Sequence, residues 1–210
     1  MLQLYDYFRS SASFRVRIAL NLKGVAYNTL PIHLVNNGGE QHSLDYQSLN
    51  PHCLVPTLKD DDKAISQSLA IIEYVDELYP EPNLLPKDPY QKALVRSFAL
   101  AIIADIHPLN NLRVLRYLTD ELGVTEDEKM QWYRHWLTLG LAGLEEQLNT
   151  WQCAGQFCFG DTPSLADICL VPQLYNARRF SCDLTSFPTL TQIDSHCQSL
   201  PAVKQAWPQD

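Results

Sequence analysis

Residues 7–20 read YFRSSASFRVRIAL. Just upstream, LQLYDYF is a short run of aromatic and branched residues with the character of a strand. Downstream, Phe14, Ile18 and Leu22 recur at i, i+4 and i+8 and Gly24 supplies a stop, so SFRVRIALNLKG is expected to be a helix. AYNTLPIHL then reads as a second strand. Strand, helix and strand in so short a span make a βαβ unit, in which the two strands run parallel.

The small residues Ser10, Ser11, Ala12 and Ser13 fall at the junction of the first strand and the first helix. In a thioredoxin-like arrangement a redox protein keeps a C-x-x-C pair at this junction. No cysteine lies near it here, so dithiol redox chemistry is excluded at that position. The physical assets of the junction remain. A helix N-terminus offers unpaired N–H groups and the positive end of the dipole, and Arg9 and Arg15 add charge. Such a place stabilises an anion, a thiolate included, and a hydroxyl within reach lowers a bound thiol's pKa further. A serine here also serves simply as a helix cap, and the helix start alone does not separate the two roles.

Further along, NNGGEQHS reads as a flexible polar loop, LVPTLKDDDKAISQS as a hairpin, and LAIIEYVDELY as a helix capped by Ser68. The order β-α-β-loop-β-β-α is the thioredoxin-like one. PEPNLLPKDP, with four prolines in ten residues, marks a boundary. From Tyr90 the pattern is helical almost throughout. Pro108 interrupts the first long run, where its missing N–H should kink or split the helix. Thr125 caps the next run, and Ser164 with Asp167 has capping-box spacing. The expected fold class is therefore an α/β thioredoxin-like N-terminal domain (1–80), a linker (81–89) and an all-α C-terminal domain (90–210).

The 210 residues are 46% hydrophobic, with a formal net charge of −8 and a sequence pI of about 5.2. That balance argues against nucleic acid or an anionic membrane surface as partner, but leaves room for small anions that respond to a local field. The N-terminus has no basic-then-apolar leader, and no single apolar run reaches the length of a membrane span. Six cysteines without C-x-x-C, and six histidines without paired ligand spacing, point to reduced, packed thiols in a cytoplasmic protein and to no metal site.

Other stretches carry possible chemistry. Val55-Pro56, in LVPTL, suggests a cis-proline turn that leaves the Val55 backbone able to pair with a peptide-like ligand; an ordinary proline at a strand start explains it as well. Gln67 and Ser68 stand at a helix start suited to a carboxylate, although a plain cap accounts for Ser68. His107 and Asn111 are spaced i, i+4, which puts them on one face of a continuous helix.

These features occur in one order: RSSASFRVRIAL, NPHCLVPTL, QSLAIIEY, then IHPLNNLRVL, GDTPSLADICLVPQ and NARRF. With that set, from Leu4 to about Ala206, the sequence resembles the zeta class of glutathione transferases. The resemblance implies glutathione as cofactor and a homodimer. It implies a small anionic ene-dione acid as substrate, isomerised from cis to trans by reversible thiolate addition. Maleylacetoacetate, in tyrosine and phenylalanine breakdown, is the first such substrate; maleylpyruvate isomerisation or general glutathione transfer is the alternative, and a non-catalytic binding protein a further one. It also implies roles. Ser10, with Ser11 beside it, serves the glutathione sulfur. Gln41 serves the glycine end, Val55 the cysteinyl backbone, and Gln67 and Ser68 the γ-glutamyl group. His107 and Asn111 contribute to the glutathione and substrate pocket, and Arg179 and Arg9 hold substrate carboxylates. One departure matters: members often carry S-S-C-S, and Ala12 replaces that cysteine here, so the implied reaction needs no protein thiol at that place.

Overall fold

The computed structural model describes residues 1–209. It divides into two compact units, one comprising Met1–Asn83 with the chain from Gln198 onward, the other Leu84–Cys197.

The first unit is built on a four-stranded sheet. Strand β1 (Leu2–Asp6) pairs parallel with β2 (Tyr27–Pro31) and antiparallel with β3 (Thr57–Asp60), which pairs antiparallel with β4 (Lys63–Ser66). The order is β2-β1-β3-β4. Helix α1 (Ser11–Leu22) makes the crossover between β1 and β2, and α3 (Ser68–Leu78) follows β4. Leu4 and Leu58 are register partners and fully buried, as are Phe14, Val16 and Leu20 of α1 and Ile71 and Val75 of α3. Each such side chain stabilises the fold by about 1.5–3 kcal/mol.

Helix α1 is enclosed on all sides: every residue from Ser13 to Leu20 is buried. That explains why a cation in the RVR run needs a built partner. Arg15 is fully buried and its Nη1 donates to Ser68 Oγ at 3.3 Å. Arg17 pairs with Asp6 at 2.7 Å. At the C-terminal end of the helix Lys23, its side chain 0% exposed, binds Asp76, the Tyr79 carbonyl at 2.7 Å and the Pro82 carbonyl. A lone amine thus fastens the end of α1 to the segment that leaves α3. Lys23→Met is expected to destabilise the first unit by about 2–3 kcal/mol, because the Tyr79 and Pro82 carbonyls lose their donor and Asp76 loses its ammonium partner. The midpoint of urea unfolding checks this; a shift worth under about 0.5 kcal/mol would show that water replaces the amine at no cost.

The sequence reading differs from this unit in three places. The polar loop after β2 is not formless. It holds 3₁₀ turns at Asn36–Gly38 and Glu40–His42 and a short helix, α2 (Leu44–Leu49), capped by Ser43 Oγ. Ser68 does not cap α3: the cap position is Gln67, at φ 71°, and Ser68 is the first helical residue. The C-terminus does not stay with the helical domain as the range 90–210 assumed. Helix α9 (Pro201–Ala206) and Trp207 pack on α1, Trp207 edge-on to Phe14 with ring centroids 5.5 Å apart.

The second unit is helical. It contains α4 (Pro89–Leu100), α5 (Leu112–Arg116), the long α6 (Glu126–Trp151), α7 (Leu165–Arg179) and most of α8 (Pro188–Ser199). Thr125 and Glu128 form a capping box on α6, and Ser164 and Asp167 one on α7. Asp167 is buried and accepts from Cys158 N, Ser164 N and Ser164 Oγ, each at 2.8 Å. Burial pushes its carboxyl up from the usual range, against the pull of those donors. The same burial raises the Cys158 and Cys197 thiols, which the neighbouring carboxylate raises further. Pro108 has the expected effect. The helix passes through a π segment (Ala101–Ile106) into a 3₁₀ turn (His107–Asn110) before α5 restarts. By length and composition alone, Pro89–Glu121 taken as a whole passes the test for a membrane-crossing helix, as core helices also do, although no uninterrupted apolar run within it reaches that length. Its polar break at His107–Asn111 lies inside that length.

Candidate functional site

The register of the sheet gathers most of the motif residues at one end. Tyr5 pairs with Thr57, and Thr57 with Ser66, so the C-terminal ends of β1 and β4 and the start of β3 lie side by side. Ser10–Ser11 follow β1, Val55–Pro56 precede β3, and Gln67–Ser68 follow β4. The Arg15–Ser68 hydrogen bond ties the body of α1 to the start of α3.

Ser10 is the N-cap of α1. Its backbone is extended (φ −73°, ψ 119°) and its Oγ accepts the Ser13 N–H at 3.2 Å. Its own N–H donates to the Tyr7 carbonyl at 2.8 Å, closing the turn Tyr7–Ser10. Capping uses the oxygen as acceptor only, so the hydroxyl hydrogen remains available to a ligand, and the accepted N–H makes it a better donor. Capping and ligand activation are therefore compatible in one side chain. Ser11 is 4% exposed and lies within the first turn. The first turn contains no acidic residue, which keeps the positive end of the dipole uncompensated. Arg9 stands over the Phe8 ring, 5.0 Å from its centroid.

The Val55–Pro56 peptide is cis. The turn is held by buried side chains. The Tyr46 hydroxyl donates to the Leu54 carbonyl at 2.6 Å, and Asn50 Nδ2 donates to the same carbonyl at 2.8 Å and to Thr57 Oγ1 at 3.1 Å. The phenol has one hydrogen, given to Leu54, so at 3.0 Å it is Thr57 that donates to Tyr46. Burial pushes the Tyr46 phenol pKa up, which keeps it a donor. Asn50 and Thr57 bracket the motif NPHCLVPTL, and their pairing explains that spacing. Tyr46 lies in LDYQSLN, just beyond the polar loop, a stretch without a sequence assignment; an aromatic ring among polar residues was the available signal.

Gln67 adopts φ 71° and ψ 117°, an arrangement that costs a non-glycine residue about 1–3 kcal/mol. Gln41 is 5% exposed, and its Oε1 is buried without a hydrogen-bond partner. Gly39, at φ 105°, packs against it so closely that a Cβ would lie 2.5 Å from Gln41 Nε2. The turn holding Gln41 is fixed by Glu40, whose carboxylate accepts the His33 N–H at 2.6 Å. The His33 ring in turn meets Tyr7, centroids 5.1 Å apart. Gln41, Ser10, Val55 and Gln67–Ser68 thus belong to one end of the first unit.

The remaining candidates lie in the second unit. His107 and Asn111 do not share a helix face. His107 is in the 3₁₀ turn, and Asn111 is extended and caps α5, accepting the Val114 N–H at 3.2 Å. The physical cause is Pro108, whose missing donor ends the regular ladder between them. That turn is pinned to α6 by Trp132 Nε1 on the Leu109 carbonyl (2.8 Å) and Asn110 Nδ2 on the Tyr133 carbonyl (3.2 Å). Arg179 is exposed at the end of α7, 5.2 Å from the Phe180 ring centroid. Its charge opposes, without overcoming, the burial that raises the Tyr133 phenol pKa.

The first unit is thus thioredoxin-like, with a cis-proline turn and the starts of two helices at one end of the sheet, and with no thiol of its own at the first helix. Residues 4–83 match the glutathione S-transferase N-terminal domain. A probable maleylacetoacetate isomerase of Vibrio cholerae is 52% identical over 99% of this chain and 95% of its own length. A bacterial zeta-class maleyl pyruvate isomerase, solved in its holo form, superposes with a TM-score of 0.95 at 43% identity, covering 98% of this chain and 96% of that one. The maleylacetoacetate isomerase of Methylobacterium extorquens AM1, solved with bound malonate and glutathione, does so with a TM-score of 0.94 at 38% identity, covering 98% and 96%. The chain belongs to the zeta class of the glutathione transferase family.

Proposed function

We propose that this protein is a glutathione-dependent isomerase that converts maleylacetoacetate to fumarylacetoacetate. The observation that carries this reading is the Ser10 hydroxyl, which caps α1 and keeps its hydrogen for a ligand at the position where a redox protein has its own thiol. Relatives named for this activity and similar over the whole chain support it.

The residues present fit glutathione. The orphaned Gln41 Oε1 awaits a donor, and the helix starts at Ser10–Ser11 and at Gln67–Ser68 suit a thiolate and a carboxylate. Bound glutathione supplies the nucleophilic sulfur that adds reversibly to the cis double bond and so permits its rotation. The chain's own residues do the rest. Ser10 would hold the anionic sulfur through a hydrogen bond from its hydroxyl, and the N–H groups of the first turn of α1 would add the field of the helix end. Val55 presents its backbone beside the cis turn. Arg9 is assigned to a substrate carboxylate. In the helical unit Arg179 is assigned the same kind of role, and His107 and Asn111 are assigned as polar ligands. We place the protein in the cytoplasm as a homodimer, in keeping with its free-thiol chemistry and its class.

The second reading, maleylpyruvate as substrate, is favoured by the 43% identity to the maleyl pyruvate isomerase above. Parallel assays with each cis acid in the presence of glutathione decide. Maleylacetoacetate is expected to give the higher kcat/KM. A higher value for maleylpyruvate reverses the assignment, and loss of neither cis acid removes the isomerase reading altogether.

A further inference from the structure

Arg17 is on α1, seven residues beyond Ser10, and its side chain turns back under the loop that carries that serine. Its Nη1 reaches both Asp6 carboxylate oxygens at 2.7 and 2.8 Å, its Nη2 the Phe8 carbonyl at 3.0 Å, and its Nε the Ala206 carbonyl at 3.0 Å. Asp6 ends β1, Phe8 lies in the turn Tyr7–Ser10, and Ala206 ends α9. One planar group therefore holds the end of a strand, the carbonyl two residues before Ser10, and the C-terminal segment. A cavity of about 460 Å³, bordered by Asp6, Phe8, Arg17, Tyr27 and Trp207, lies beside it. On that side the turn borders open space, and the guanidinium is the group that holds the Phe8 carbonyl there, while Tyr7 packs on His33.

We propose that Arg17 is the positioning residue for Ser10: it sets the turn Tyr7–Ser10 so that the serine hydroxyl meets the bound sulfur, and it links that setting to the C-terminal segment through Ala206. The proposal rests on the glutathione-dependent reading above. Chemistry supports a guanidinium here specifically. Three acceptors in three directions match its fixed fork, whereas an ammonium on a flexible stem reaches one of them well. The charge of Asp6 fixes the guanidinium plane, and Phe14, whose ring centroid is 5.4 Å from Arg17 Cζ, backs it and meets Trp207. Loss of the Phe8 contact frees a carbonyl two residues from the cap without touching any residue that meets glutathione.

The test is Arg17→Lys in the full chain, with the thiol pKa of bound glutathione read by ultraviolet titration, its Kd by calorimetry and amide hydrogen exchange at Ser10 without ligand. The expected result is glutathione binding within about threefold of wild type, a raised thiol pKa, faster exchange at Ser10 and kcat lower by about ten- to a hundredfold, since small misplacements of a reacting group are costly. Unchanged thiol pKa and unchanged Ser10 exchange in a folded Arg17→Lys protein overturn the proposal. Should that variant not fold, Asp6→Asn, which keeps the shape and removes the charge that orients the guanidinium, is read the same way and against the same outcomes. Failure of wild type to bind or ionise glutathione sinks the parent reading instead, while the Ser10 exchange rates still decide the role of Arg17 in placing the turn.

Discussion

Ser10→Ala is expected to lower kcat for glutathione-dependent isomerisation by about 10²–10³-fold, the usual cost of one donor aimed at a developing or bound anion. The Ser10 oxygen is occupied by the Ser13 N–H and its hydrogen is free to donate. Alanine removes that donor and raises the pKa of the bound thiol, so less thiolate is present at neutral pH. It also removes a cap, costing about 1 kcal/mol of stability, and the assay is therefore run well below the unfolding temperature. Ser10→Thr keeps both cap and hydroxyl and should retain most of the activity. Ser11→Ala, at a buried position one residue into the helix, should cost under about tenfold. Equal losses at the two serines would mean that backbone N–H groups, or Ser11 itself, do the activation.

Asp167→Ala should be the most damaging single change to the helical unit, at about 3–5 kcal/mol. The carboxylate is 2% exposed and satisfies two backbone N–H groups and the Ser164 hydroxyl. Alanine leaves those donors buried without an acceptor and loosens the start of α7 together with the Cys158 segment. Asp167→Asn retains one acceptor oxygen and should recover part of the loss. Urea unfolding followed by tryptophan fluorescence measures it; a loss below about 1 kcal/mol would show that water or a shifted backbone serves these donors as well.

The parts of the fold legible in the sequence were those with local signals. Strand β1, helix α1 and the hairpin announce themselves by period and turn residues, and the cis bond at Val55–Pro56 was suggested by the motif around it. Features set by distant contacts were not legible. Nothing near Gln198 says that the chain returns to α1, because that return depends on acceptors at Ala202 and Ala206 meeting Asn21 and Arg17. The i, i+4 spacing of His107 and Asn111 misled because it presumes a continuous helix that Pro108 ends. Ser68 was read as a cap from its residue type alone, whereas its hydroxyl accepts from Arg15, 53 residues earlier in the chain. At the candidate site, the motifs that the sheet gathers at one end could be read from the sequence, while the buried supports, Tyr46, Asn50, Arg15 and Arg17, could not. Their roles come from tertiary hydrogen bonds; for Arg15 and Arg17 the local hint is a charge inside an otherwise apolar helix.

The central claim is that the thiol of the reaction comes from glutathione and returns to it. The direct measurement supplies a large excess of maleylacetoacetate over glutathione, follows conversion to the trans acid, and assays free glutathione at the end. Many turnovers per glutathione, with all of it recovered and none of the reaction proceeding without it, is the expected result. Conversion that stops at one equivalent of glutathione, or that proceeds in its absence, would contradict the account.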